Sequence, residues 1–142
     1  MSTLYSSKGI AGMVSAFREA LKKARLREGD GVLFIGCPGF CTPFAELFAY
    51  GIRDEASRLR LNMVFMPYLD VDKARKMELV EGLGYSPSTP CEVGRFKVIV
   101  VMGGVAMPMS KVGPEEVQAF IEQHLDEGGL VIGWCCMNVF ER

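Results

Sequence analysis

The sequence predicts an α/β domain in three layers: a four-stranded, mostly parallel sheet of order 2-1-3-4, with helices on both faces. Three observations predict it. Short apolar runs at 32–35, 61–66 and 96–102 are bounded by glycine or proline, as strands buried on both faces are. Longer segments between them carry apolar residues at helical spacing. A chain of 142 residues has room for one core, so residues 1–142 are read as a single domain. Right-handed crossovers leave few strand orders, and 2-1-3-4, a Rossmann-like or flavodoxin-like half, sets two helices on each face.

Each element follows in turn. Between Gly9 and Arg27, Ile10, Met13, Val14, Phe17, Leu21 and Ala24 recur at helical spacing, with charges opposite. Glu28 to Gly31 break that pattern, and Val32-Leu33-Phe34-Ile35 form the first strand. Thr42 before Pro43 signals a helix start, a hydroxyl cap followed by proline at the first helical position. Phe44, Leu47, Phe48, Gly51, Ile52 and Ala56 carry this helix to about Leu59. Leu61 to Met66 make the second strand. Asp70 or Asp72 then caps a third helix reaching Glu81, and Tyr85 to Gly94 are a loop. Phe96 to Met102 make the third strand, Pro114 to Glu127 the last helix, and Leu130 to Trp134 the fourth strand.

Composition narrows the partners. Hydrophobic residues make up 49% of the chain and the mean hydropathy is +0.19, in keeping with a doubly covered sheet. The longest apolar run, Val98 to Met109, contains two glycines and a proline and falls short of the ~18 residues a membrane span needs. Met1 to Lys8 lack the apolar core of a signal peptide, so a cytoplasmic protein is expected. The net charge of −1 argues against a nucleic-acid partner. The local cluster Arg18, Lys22, Lys23, Arg25 and Arg27 is interleaved with acids and reads as a solvated helix face.

Ligands of open α/β sheets bind beyond the carboxyl ends of the strands, where strand order reverses. Two loops border that crevice here: Gly36-Cys37-Pro38-Gly39-Phe40-Cys41-Thr42-Pro43, and Gly103-Gly104-Val105-Ala106-Met107-Pro108-Met109-Ser110. The candidate ligand contacts are Gly36, Pro38, Gly39, Cys41, Thr42, Gly103, Gly104 and Met107. An anionic or phosphate-bearing small molecule suits the helix start beside them. Gly36-x-x-Gly39 is no dinucleotide fingerprint, because the third glycine is missing, and there is no Walker lysine. The residues point to no particular cofactor.

Five cysteines in a cytoplasmic chain do not form a structural disulfide framework; they are buried small hydrophobes or chemistry. Cys37 and Cys41, in a C-x-x-x-C spacing across the first loop, are the candidate catalytic thiols. Glu46 is the nearest carboxylate to serve them, although an acid in a first helical turn has its own electrostatic reason. Cys135 and Cys136 follow strand four, with strand three between them and this loop, roughly 10 Å away. That gap argues against a shared four-cysteine cluster. Cys91 lies at the opposite edge, and the only histidine, His124, at the amino edge of the sheet, which removes a Cys–His dyad. Met102, Met107, Met109 and Met137 fall at strand ends on the cysteine side. They allow a soft-metal site, but read more simply as pocket or core, so no metal ligand set is expected.

The stretch from Gly36 to Leu47, together with Gly103 to Pro108, resembles an uncharacterised archaeal family, mainly of methanogens and labelled as a domain of unknown function. The resemblance covers nearly the whole chain. It implies an anaerobe's cytoplasm and no particular activity. A passing likeness to peroxiredoxins fails on order, since Thr42 follows Cys41 instead of preceding a cysteine by three residues.

Three functions are therefore expected in competition. The first is binding of a small anionic ligand at the carboxyl edge. The second is a thiol-dependent redox protein or enzyme using Cys37 and Cys41. The third is a non-catalytic subunit that docks a partner or forms a homo-oligomer through the edge near Val139 and Phe140.

Overall fold

Val32, Leu33, Phe34 and Ile35 are all fully buried, so the first strand must be covered on both faces, as its unbroken apolar run requires. The computed structural model describes residues 9–37, 41–80, 84–102 and 113–134. In chain order these form α1 (Gly9–Lys22), β1 (Gly31–Gly36), α2 (Thr42–Gly51), α3 (Arg53–Leu59) and β2 (Asn62–Pro67). A single 3-10 turn (Val71–Lys73) follows, then β3 (Arg75–Val80), β4 (Gly84–Pro90), β5 (Phe96–Met102), α4 (Pro114–His124) and β6 (Leu125–Trp134).

The sheet is mixed and six-stranded, in the order β4-β3-β2-β1-β5-β6. Its parallel part, β2-β1-β5-β6, has the strand order expected from the sequence. The expectation of four strands fails at the other edge. Between residues 70 and 80 no α-helix forms, only the 3-10 turn, and of the expected loop from Tyr85 to Gly94 only residues 91–94 lie outside a strand: β3 and β4 make an antiparallel pair against β2. Ala74 to Leu79 is rich in helix formers, yet Met77 packs into the core and Val64 pairs with Lys76. Tertiary pairing overrides local propensity here. Pro87 and Pro90 are tolerated because β4 is an edge strand.

The second helix is also divided. α2 ends at Gly51, and Ile52 leads into α3. A Cβ on Gly51 would lie 2.5 Å from Val14 Cγ1, so only glycine lets α1 come this close. α4 stops at His124, short of the expected Glu127. β6 therefore starts early, and between Phe96 and Val98 its ladder takes up extra residues, from Leu125 to Leu130.

The strand alternation sorts the core onto two faces. Val32, Phe34, Val98, Val100 and Met102 pack toward α1, α2 and α3. There Phe17 of α1 stands between Phe34 and Phe48, with centroids 6.0 and 4.9 Å away. Leu33, Ile35, Ile99 and Val101 face the other way, beneath Phe120 of α4 and Ala74. Helices thus cover both faces, and each fully buried aliphatic or aromatic side chain contributes about 1.5–3 kcal/mol. Among the described residues, no helix is long and apolar enough to cross a membrane.

Candidate functional site

By the alternation of β1, position 36 faces the same side as Val32 and Phe34, toward α2. That residue has no side chain, and Cys41 occupies the space. A Cβ on Gly36 would lie 2.6 Å from Cys41 Cβ and 3.2 Å from Cys41 Sγ. The Cys41 N–H donates to the Cys37 carbonyl (3.1 Å), and the Ala45 N–H donates to the Cys41 carbonyl (3.0 Å). The Tyr68 N–H, just past β2, donates to the Gly36 carbonyl (2.8 Å) and fixes the strand end from its other side.

The backbone bond from Cys41 to Cys37 sets the two cysteines side by side. The Cys37 thiol donates to Cys41 Sγ at 3.2 Å. Both are buried, Cys41 completely and Cys37 with 8% of its surface exposed, and neither is in a disulfide. Cys41 is the N-cap residue of α2 and makes no side-chain cap hydrogen bond. Thr42, expected as the cap, is instead the first helical residue, because Cys41 already has near-helical backbone angles and its carbonyl accepts from the Ala45 N–H. The positive end of the helix dipole lies beside the thiol pair and favours anionic charge there.

Met102 completes the corner. Ile35 pairs with Val101, which brings Met102 alongside Gly36, and its Sδ lies 3.2 Å from the point a Gly36 Cβ would occupy. Cys41 Sγ lies at that same distance from that point, so three sulfurs gather where β1, β5 and α2 meet. The spacing of Cys37 and Cys41 was visible in the sequence. Met102 is expected on the cysteine side as pocket or core, and the register between β1 and β5 is what sets it against Gly36.

Other expected residues fall elsewhere. Pro38, Gly39, Phe40, Gly103, Gly104, Met107, Met109, Cys135, Cys136, Met137, Val139 and Phe140 lie outside the described residues. Glu46 is half-buried on α2. Cys91 and His124 lie on the opposite face of the sheet, where they line a cavity of about 600 Å³ with Val71, Asp72, Glu92 and Val93. His124 Nδ1 lies 2.7 Å from the Gly94 carbonyl, and its ring stacks on Phe120. Since a carbonyl only accepts, Nδ1 carries a proton. Burial pushes the Cys91 thiol up, while the Lys76 ammonium pulls it down. Among the described residues, no three His, Cys, Asp or Glu side chains are grouped to hold a metal ion.

Residues 8–142 match the family described as an uncharacterized protein conserved in archaea (DUF2124). The chain belongs to this family. Within it, the chain is 38% identical over 143 residues to an uncharacterized protein of Methanothermobacter thermautotrophicus, covering 100% of this chain and 84% of that protein. It is 29% identical over 142 residues to one from Methanocaldococcus jannaschii, covering 100% of this chain and 81% of that one. A crystal structure of a protein of unknown function from Methanothermobacter thermautotrophicus superposes with a TM-score of 0.81 at 37% identity, over 100% of this chain and 83% of that one. The archaeal resemblance read from the Gly36 and Gly103 loops is thereby established, with homologues from methanogens.

Proposed function

We propose that this DUF2124 protein is a dithiol redox protein whose working groups are Cys37 and Cys41. The observation that carries the reading is their sulfur separation of 3.2 Å. A disulfide bond is ~2.05 Å long, so closure needs about 1 Å of movement. Cys37 is the more accessible of the two and acts as nucleophile. Its thiolate attacks a small disulfide and expels one thiolate, leaving a mixed disulfide on Cys37. Cys41, fully buried and one sulfur contact away, gives up its proton and attacks Cys37 Sγ. The second thiolate leaves. Two electrons pass to the external disulfide, which becomes two thiols, and the protein keeps a Cys37–Cys41 disulfide.

The test is exposure of the reduced, folded protein to a small-molecule disulfide without oxygen, followed by peptide mass mapping. A 37–41 disulfide is expected in the wild type, and a trapped mixed disulfide on Cys37 in Cys41→Ser. Persistence of both thiols while other cysteines react overturns the reading. The small-anion reading of the same corner retains the amino end of α2 as its support; most of its other candidate contacts lie outside the described residues.

A further inference from the structure

We infer that the reduced pair, together with Met102, is a binding site for a thiophilic monovalent cation of the copper(I) type. This rests on the dithiol reading and adds a ligand that only the reduced form takes. The donor set decides the chemistry. Two thiols and one thioether lie about the Gly36 corner: Cys41 Sγ and Met102 Sδ each lie 3.2 Å from the position its Cβ would take, and Cys37 Sγ lies 3.2 Å from Cys41 Sγ. Metal–thiolate bonds of about 2.3 Å put the sulfurs of a trigonal centre roughly 4 Å apart. Reaching that needs less than about 1 Å of opening between the cysteines, a side-chain adjustment.

Zinc fits this corner poorly. It takes four nitrogen, oxygen or thiolate ligands, and among the described residues no third His, Cys, Asp or Glu joins the pair. Soft thiolate and thioether ligands select copper(I), which accepts two or three of them. Binding converts two thiols and M⁺ into an M(SR)₂⁻ centre and releases two protons, with the thioether donating without losing one. The single negative charge left lies at the amino end of α2, where the dipole favours it. Closing the disulfide removes both thiolates and two electrons, so the cation must leave. Oxidation by a small disulfide and cation binding thus exclude one another.

The experiment is a competition, without oxygen, between reduced protein and a chromophoric copper(I) chelator. The wild type should withdraw one equivalent per chain. Met102→Leu conserves volume and should weaken retention by roughly tenfold, while the Cys37→Ser/Cys41→Ser double variant should lose it. No withdrawal by the wild type overturns the proposal, as does full retention in the double variant or unweakened retention in Met102→Leu. The disulfide assay on the same proteins separates the two ideas. A disulfide without copper withdrawal sinks the cation site alone. Copper withdrawal without a disulfide leaves it standing and sinks the redox reading. Copper-loaded wild type should resist disulfide closure, and Met102→Leu without metal should close normally.

Discussion

Gly36 and Cys41 share one side-chain volume: the Cβ that any other residue would place at position 36 falls 2.6 Å from Cys41 Cβ. The clashing atom is the first of a side chain rooted in a hydrogen-bonded turn, so it cannot swing aside. Gly36→Ala should therefore destabilise the fold by about 1–3 kcal/mol, the usual cost of overpacking, and move Cys41 away from Cys37. Urea denaturation checks the first effect and the rate of disulfide closure the second. Unchanged stability with unchanged closure would mean that the corner is looser than its contacts indicate.

Gly51 offers an independent probe on the helical layer. A methyl there meets Val14 Cγ1 at 2.5 Å. Alanine is favoured over glycine inside a helix by about 1 kcal/mol, so the outcome is a contest between propensity and clash. At that distance the clash should win, and Gly51→Ala should lower stability. Adding Val14→Ala removes the clash and leaves the propensity gain. The double variant should then be more stable than the sum of the two single changes predicts, by more than the ~0.5 kcal/mol typical of independent sites. Additivity in denaturant titrations would show that α1 and α2 do not touch through this pair.

The sequence made the parallel half readable because its signals are local. Val32 to Ile35 sits between glycines, Phe96 to Met102 is apolar but for Lys97, and Pro114 marks the start of α4. The β3–β4 pair was hidden because its evidence is not local. Ala74, Lys76, Met77, Glu78 and Leu79 all favour a helix, and only the edge of β2 recruits them into a sheet. In the candidate site the C-x-x-x-C spacing announced two cysteines. It did not say that their turn bonds Cys41 N–H to the Cys37 carbonyl, nor that Met102 would complete the corner. The place of Met102 depends on the register between β1 and β5, which one residue of slip would invert.

Cys91 should behave unlike the paired thiols. Burial raises its proton affinity, and Lys76 partly offsets this. Lys76→Gln removes the offset, so less thiolate is present at a given mildly alkaline pH, and alkylation of Cys91 should slow. For stability the sign follows from linkage: a thiol that holds its proton more tightly when folded contributes nothing at low pH. It costs stability as the unfolded chain ionises, from about pH 8.5 upward. Tyr85, also raised by burial, acts in the same direction at higher pH. The denaturation midpoint should fall over that range, and Cys91→Ala should flatten the first part of the decline. A Cys91 that alkylates faster in Lys76→Gln would reverse the assignment.

The stability difference between oxidised and reduced protein tests whether Cys37–Cys41 is an exchangeable pair or a staple. A cross-link over so short a loop, from Cys37 to Cys41, gains at most about 2 kcal/mol from restricting the unfolded chain. Against this, closure must pull two buried sulfurs together from 3.2 Å, in a corner where Gly36, Met102 and the start of α2 already fill the space. Cores resist such shifts, and displaced packing typically costs ~1–3 kcal/mol. The two effects nearly cancel, so urea titrations of the two forms should differ by less than about 2 kcal/mol in either direction. By linkage, the fold then adds little to the intrinsic potential of the pair, and thiol exchange can run both ways. An oxidised form more stable by well over that margin would mark the disulfide as a structural cross-link, and the dithiol would have no cycle to perform.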